Sequence, residues 1–192
     1  MKANKFLQLL IEIIDKNDPY KSGHSEKVAK LSALIGRQLN LSKTQLDALE
    51  FGSLLHDLGK VLLPGELWCT PEKLADEEFE IVRKHSRLGA ELLQSCDFSE
   101  NVINIVKYHH EMWNGTGYPE KLQKEEIPLL ARIVALAEVY ISMISYELYS
   151  DSLEKEKAVK KIKNDSGLRF DPKIVQAFLQ VISDDSNNII KP

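Results

Sequence analysis

The fourteen residues from Ile133 to Tyr146 carry a single charge, at Glu138. A helix that is apolar on every side is buried, so this segment is expected to form the centre of the core. It is shorter than the roughly 20 residues that a helix needs to cross a bilayer, so no membrane span is expected. A lone buried carboxylate needs a partner, which is either a lysine or arginine from another helix or a metal ion.

Apolar residues recur at helical spacing through most of the remaining chain, with short breaks between segments. Alternating strand patterns are absent, so the chain is predicted to be all-α, a bundle of about seven to nine helices. The helix that begins after Ser42 is expected to run to Lys60, and the segment from Trp113 to Pro119 is expected to be a loop. Capping and first-turn residues mark the predicted helix starts: Ser42 with Gln45, Asp76, Pro128, and Asp171 with Pro172.

We expect one domain over residues 1–182, including a leading amphipathic helix over 1–17, and a tail over 183–192 that frays. Lysine and arginine total 25 against 29 aspartates and glutamates, so no basic excess favours nucleic acid as a partner. The two cysteines, Cys69 and Cys96, indicate neither a disulfide framework nor a thiolate zinc site. A reducing, cytoplasmic location is therefore expected.

Three polar side chains lie within the apolar run from Leu54 to Lys60: His56, Asp57 and Lys60 itself. On a helix, Lys60 shares a neighbourhood with both other residues, because it follows them by four and three positions. Burying all three is costly unless they bind something, and a metal ion together with a phosphate would satisfy them. The alternative is a partly exposed face on which Asp57 pairs with Lys60.

The chain has five histidines. His109 and His110 are adjacent where a predicted helix meets the glycine-containing loop, so either one faces the core and the other faces solvent, or a distorted helix end directs both at metal. His24 and His85, each considered alone, are more typical of surface positions. These alternatives stay open from the residues by themselves.

Taken together, these motifs resemble the HD-GYP family, a branch of the HD-domain metal-dependent phosphohydrolases. The resemblance runs from about Asp18 to Phe178 and rests on six motifs in order: D-P-Y-K-S-G-H-S (18–25), L-L-H-D-L-G-K (54–60), K-H-S-R-L-G (84–89), H-H-E-M-W-N-G-T-G-Y-P (109–119), A-E-V-Y (137–140) and F-D-P (170–172).

The resemblance implies an all-helical fold that holds two divalent metal ions, iron or manganese, and hydrolyses the bacterial second messenger cyclic di-GMP through a metal-bridging hydroxide. Carried over to this sequence, one metal would be held by His24, His56, Asp57 and Glu138. Asp57 would bridge to the second metal, held with it by His85, His109 and His110. Lys60 would contact a substrate phosphate. Imidazole and carboxylate ligands without thiolate suit iron and manganese.

The chain departs from the family pattern at several positions. Glu138 stands where an aspartate is usual, and Tyr20 replaces the glutamate of members with three metals, so two metals are predicted. Glu147 and Ser150 stand where the family has cations that help to hold the nucleotide phosphates. The Glu147 carboxylate would repel those phosphates. Further departures are Ile141, Met112 and Asn114.

Three functions remain in competition. The first is a metal-dependent phosphodiesterase that acts on cyclic di-GMP or its linear product, with Trp113 and Tyr118 of the loop as further substrate contacts. The second is a regulatory or protein-interaction module that keeps its metals and docks on a partner, such as a GGDEF-type cyclase, through an exposed Trp113 and Tyr118. The third is a hydrolase of another nucleotide or phosphoester.

Overall fold

The computed structural model describes Ile11 and residues 23–67, 74–145 and 154–184. The predicted leading helix (apart from Ile11) and most of the predicted tail lie outside this part of the chain. So do four residues considered above: Tyr20, Cys69, Glu147 and Ser150.

The described residues form α-helices joined by short turns, and they contain no strand beyond one isolated bridge between Ser166 and Phe170. The all-α prediction is confirmed. The α-helices are α1 (His24–Gln38), α2 (Lys43–Leu55), α3 (Asp76–Val82), α4 (His85–Gln94), α5 (Glu100–Tyr108), α6 (Leu129–Ile144), α7 (Lys155–Asn164) and α8 (Pro172–Ser183). Short 3-10 helices lie at Leu58–Leu62, Gly65–Leu67 and Lys124–Glu126.

Helix α6 is the centre of the bundle, as its apolar sequence predicts. Its residues from Ile133 to Ala137 are buried, and α1, α5, α7 and α8 all pack against it. Helix α1 also packs on α2 and α8, while α4 packs on α5 and on the 3-10 helix Leu58–Leu62. No described helix has the length and apolar character needed to cross a bilayer.

The capping box of α2 forms as predicted: the Ser42 hydroxyl accepts from Gln45 N (3.3 Å), and the Gln45 side chain accepts from Ser42 N (3.0 Å). The prediction that this helix runs to Lys60 is wrong, because α2 ends at Leu55 and the chain continues as a 3-10 helix. The reason lies at Gly59, where a Cβ would come within 1.9 Å of the His85 carbonyl oxygen. The 3-10 helix allows the backbone at Gly59 to contact the backbone of α4, where a residue with a side chain would not fit.

Two other predicted helix starts need correction. Asp76 does not cap α3 but is its first residue; the capping contact comes from the Glu78 carboxylate, which accepts from Ala75 N (2.8 Å). Pro128 precedes α6 instead of beginning it. The Asp171 cap of α8 is confirmed, since its carboxylate accepts from Lys173 N (2.8 Å).

Candidate metal centre

The structure brings all seven predicted metal ligands together in two groups. The ligand atoms of each group lie within 4.8 Å of one another. One group contains His24, His56 and Glu138, and the other contains Asp57, His85, His109 and His110. Asp57 joins the two groups, since one of its oxygens lies 3.5 Å from His56 Nε2 and the other 3.5 Å from His85 Nε2. All five histidines of the chain are in this cluster.

The cluster forms where helix ends meet the middle of α6. His24 is the first residue of α1 and His85 the first of α4, while His56 and His109 directly follow the last residues of α2 and α5. Glu138 comes from the interior of α6 and is buried. Four helix ends and the interior of α6 therefore converge on one site.

Three imidazole rings are oriented by hydrogen bonds to the backbone. The Nδ1 atoms of His56, His85 and His109 lie 2.6, 2.8 and 2.8 Å from main-chain carbonyl oxygens. A carbonyl only accepts, so each Nδ1 carries the proton and each Nε2 of a neutral ring carries a lone pair. The accepting carbonyls are each three residues earlier in the chain: Ser53, Val82 and Val106. Such bonds from the far ring nitrogen are typical of metal-binding histidines.

The lone pairs of these rings converge. His85 Nε2 lies 3.4 Å from His109 Nε2 and 3.2 Å from His110 Nε2. In neutral rings with protonated Nδ1 atoms, the His85 and His109 lone pairs face each other without a proton between them. A divalent cation among them would satisfy both, and the His56 Nε2 atom, buried and hydrogen-bonded to no described residue, fits the same interpretation.

Burial keeps three of the rings, those of His85, His109 and His110, in the neutral form. Loss of solvent lowers the pKa of His85, lowers the pKa of His109 to about 3, and lowers the pKa of His110 well below its usual range. For His110, the neighbouring His109 and His85 rings lower the pKa further. Only the neutral form of imidazole binds a metal ion, so these three rings are in the form that can bind metal at neutral pH.

The Asp57 carboxylate also accepts from the Lys60 ammonium, with Nζ 2.7 Å from Oδ2. The pairing of these two residues was one of the alternatives from sequence, but the partly exposed face is wrong because Asp57 is buried among the histidines. The Lys60 side chain keeps 12% of its exposure, which places its ammonium at the edge of the cluster. Glu138 Oε2 lies 3.9 Å from His110 Nδ1.

His109 and His110 both join the cluster, because α5 ends at Tyr108 and the chain turns there. Their ring centroids are 4.0 Å apart. The alternative in which one ring faces solvent is therefore wrong. The His110 ring also stacks on the Tyr118 ring, with 4.7 Å between the ring centroids and 26° between the ring planes.

Tyr118 and Trp113 are less exposed than the sequence suggests. Both are half-buried, so the expected exposed aromatic pair is not found. Burial and the charges of Glu138 and Asp57 raise the pKa of Tyr118, so its hydroxyl stays protonated next to the cluster. The Trp113 ring instead lies against Arg132, with the guanidinium carbon 5.6 Å from the ring centroid.

Two residues that shape this site are not among the predicted ones. The buried Glu111 carboxylate accepts from Glu120 N (2.6 Å) and Leu122 N (3.1 Å), which closes the loop that follows the two histidines. Arg132 forms an ion pair with Asp171 between α6 and the start of α8. Glu111 could have been suspected as an acidic residue directly after the two histidines, whereas the Arg132–Asp171 pairing has no local sequence signal.

Comparison with known proteins relates the site to a family. Residues 8–174 match the family model described as "HD domain". A cyclic di-GMP phosphodiesterase of Thermotoga maritima is 32% identical over 182 residues, which cover 92% of this chain and 50% of that protein.

Two solved structures share the fold. Bd1817 of Bdellovibrio bacteriovorus, described as an HDG"Y"P protein, has a TM-score of 0.69 and 28% identity over 84% of this chain and 52% of that one. A cyclic GMP-AMP-specific phosphodiesterase of V. cholerae (V-cGAP3) has a TM-score of 0.71 and 25% identity over 94% of this chain and 49% of that one. The chain thus spans about half the length of each of these three proteins.

Proposed function

Because the chain belongs to the HD domain family, in its HD-GYP branch, we propose that it is a metal-dependent phosphodiesterase that hydrolyses cyclic di-GMP or its linear product. The observation that carries this proposal is the pair of joined ligand groups, with a carboxylate shared between them and a lysine ammonium at their edge. A cluster built only to stabilise the core would not need five imidazoles and two carboxylates gathered in one buried place.

The proposed centre holds two divalent ions. His24, His56, Asp57 and Glu138 would bind one, and Asp57, His85, His109 and His110 the other. The donor set of imidazole nitrogens and carboxylate oxygens fits iron or manganese, which accept both ligand types. Glu138 supplies the same carboxylate as aspartate, one methylene further from the backbone, and the structure brings it into the His24 group.

Divalent ions at such a site supply Lewis-acid polarisation of a phosphodiester and lower the pKa of water that attacks it. The residues of the chain do the rest. The carbonyl-bound rings of His56, His85 and His109 keep fixed orientations, so no reorganisation is needed when substrate binds. The Lys60 ammonium can donate to a phosphoryl oxygen. The Tyr118 hydroxyl, held in its protonated form on a ring that stacks on His110, can act as a second donor.

A second substrate is favoured by one specific observation. The V. cholerae structure that shares this fold is described as specific for cyclic GMP-AMP. That compound contains the same type of phosphodiester linkage, so the metal centre alone does not select between the two dinucleotides. Docking of a GGDEF-type cyclase on the G-Y-P loop, and a purely regulatory role, stay predictions from the sequence resemblance.

The test is hydrolysis by protein loaded anaerobically with iron or manganese. Cyclic di-GMP and 3'3'-cyclic GMP-AMP are supplied separately, and the products are separated by chromatography. We expect wild-type protein to produce the linear dinucleotide from cyclic di-GMP. A Lys60→Met variant that keeps its metal should lose about 100-fold in kcat/KM, because one charged contact in the transition state has an effect of this size. Absence of turnover of both compounds, and of the linear product of cyclic di-GMP supplied in the same assay, by protein that carries metal would refute the enzyme proposal and favour the regulatory module.

A further inference from the structure

Arg169 lies in the turn between α7 and α8, one residue before Phe170, and is half-buried. It helps to line a cavity of about 10 Å³ whose wall also contains His110 and Glu138 of the metal centre. A side chain from a distant part of the sequence therefore reaches the edge of the cluster.

The charge of Arg169 is not used for an ion pair within the described part of the chain, where no carboxylate lies within 4.0 Å of its guanidinium. Its guanidinium carbon instead lies 5.5 Å from the Phe170 ring centroid. Other arginines around the cluster and its loop have acidic partners: Arg83 with Glu80, Arg87 with Glu120, and Arg132 with Asp171. Arg169 thus differs from its neighbours in leaving a guanidinium fork available at the edge of the site.

Arg169 also acts on the aromatic edge of the site. Its positive charge opposes the rise in the pKa of Tyr118, the residue whose ring stacks on His110.

The backbone around Arg169 is fixed before any ligand arrives. Its amide donates to Asp165 O (2.9 Å), and its carbonyl accepts from Trp113 N (3.0 Å). The second bond ties the turn to the loop that carries Tyr118. Because the position is preset, less ordering is needed on binding, and more of the interaction appears as affinity.

We propose that Arg169 is a substrate-binding residue that holds the phosphodiester of the cyclic dinucleotide that is not being cleaved. A cyclic dinucleotide carries two phosphodiesters, and the metal centre with Lys60 engages one of them. The second remains an anion that must leave water, and a guanidinium fork binds phosphate oxygens in a bidentate manner. The assignment rests on the proposed function, because it requires a ligand with two phosphodiesters.

The test compares Arg169→Gln, Arg169→Lys and a control, Arg87→Gln, in manganese-loaded protein. Binding of a phosphorothioate analogue of cyclic di-GMP, which resists hydrolysis, is measured by calorimetry, and metal content by elemental analysis. We expect the Kd to rise about tenfold in Arg169→Gln, the loss of one charge-assisted contact, and by less in Arg169→Lys. Arg87, an exposed residue that pairs with Glu120 outside the cluster, should give the wild-type Kd on substitution.

A second measurement separates this role from a general effect on the metal centre. Bis(p-nitrophenyl) phosphate contains a single phosphodiester, so Arg169→Gln should lower kcat/KM at least about fivefold more for cyclic di-GMP than for this compound. An unchanged Kd, an equal loss for both substrates, or loss of metal from Arg169→Gln would each overturn the assignment while leaving the proposed function intact. A wild-type protein that binds no cyclic dinucleotide would overturn both.

Discussion

The same local contact recurs at His56, His85 and His109. Each of these residues comes after a helical turn, and its Nδ1–H donates a hydrogen bond to the carbonyl three residues earlier. Carbonyls at helix ends lack intrahelical donors, so the ring N–H satisfies an acceptor that would otherwise need water. The same bond turns Nε2 towards the cluster. One short-range contact thus caps a helix and orients a candidate metal ligand.

At the same scale, Asp57 is the residue on which both ligand groups depend. We expect Asp57→Ala to reduce bound metal from about two ions per chain to near none, because the shared carboxylate supplies one ligand to each site. Elemental analysis after gel filtration measures this. Asp47→Ala is the matched control, since Asp47 is a half-exposed aspartate on α2 that pairs with Lys43. Full metal content in Asp57→Ala would show that the ligand assignment is wrong.

The neutral histidines also make metal-free protein sensitive to acid. The pKa of His109 is lowered from 6.5 to about 3 on folding, so between these values the unfolded chain binds more protons than the folded one. Stability is therefore present above pH 6.5 and is lost as the pH falls, with a slope of about 1.4 kcal/mol per pH unit for each such histidine.

Urea unfolding of metal-free protein between pH 7.5 and pH 5 tests this. Between pH 6.5 and 5, the unfolding free energy of His109→Gln should fall less steeply than that of the wild type. The difference in slope should be about 1.4 kcal/mol per pH unit, the contribution of one histidine. Above pH 7 both proteins should be independent of pH, which serves as the internal control. Equal slopes below pH 6.5 would mean that His109 is not held neutral by the fold.

The sequence predicts the ligands better than it predicts their surroundings. The resemblance to the HD-GYP family implies all seven candidate ligands, whereas the residues considered alone leave His24 and His85 as typical surface positions. The position of Arg169 and the Arg132–Asp171 ion pair could not be predicted, because both depend on contacts between distant parts of the chain. The half-buried state of Trp113 and Tyr118 has the same origin.

At the scale of elements, the sequence predicts α6 and the capped starts of α2 and α8, because those depend on local patterns. It fails at the end of α2, where helical spacing continues past Leu55 but the backbone tightens into a 3-10 helix. That change is imposed by α4, whose backbone contacts Gly59. The one local sign of this tertiary contact in the sequence is the glycine at position 59.

Gly59→Ala should therefore be costly. A Cβ there would lie 1.9 Å from His85 O and 2.6 Å from Gly89 N, both backbone atoms that cannot move aside as a flexible side chain would. We expect a loss of about 3 kcal/mol in unfolding free energy, with weaker metal binding because His85 is displaced. Gly65→Ala is the control, because Gly65 also lies in a 3-10 helix but has nothing within 4 Å of its Cβ position. Equal stabilities of the two variants would contradict the close contact.

At the scale of the whole molecule, the candidate centre draws on five helices that also share the apolar core. Its ligands come from α1, from the ends of α2 and α5, from the start of α4 and from α6. An ion held by all of them binds the folded state and has no comparable site in the unfolded chain. Metal should therefore act as a folding ligand as well as a cofactor.

Thermal unfolding measures this coupling. At a free metal concentration about a thousandfold above its Kd, the folded state gains about 4 kcal/mol, which for a chain of this size raises the Tm by about 10 °C. Manganese-loaded protein should thus melt well above protein treated with chelator, and the difference should largely disappear in Asp57→Ala. Equal melting temperatures of loaded and chelated wild type, with metal shown to be bound, would mean that the ligand groups are assembled without contributing to the stability of the fold. In that case the helix ends would be held together by the apolar core around α6 alone.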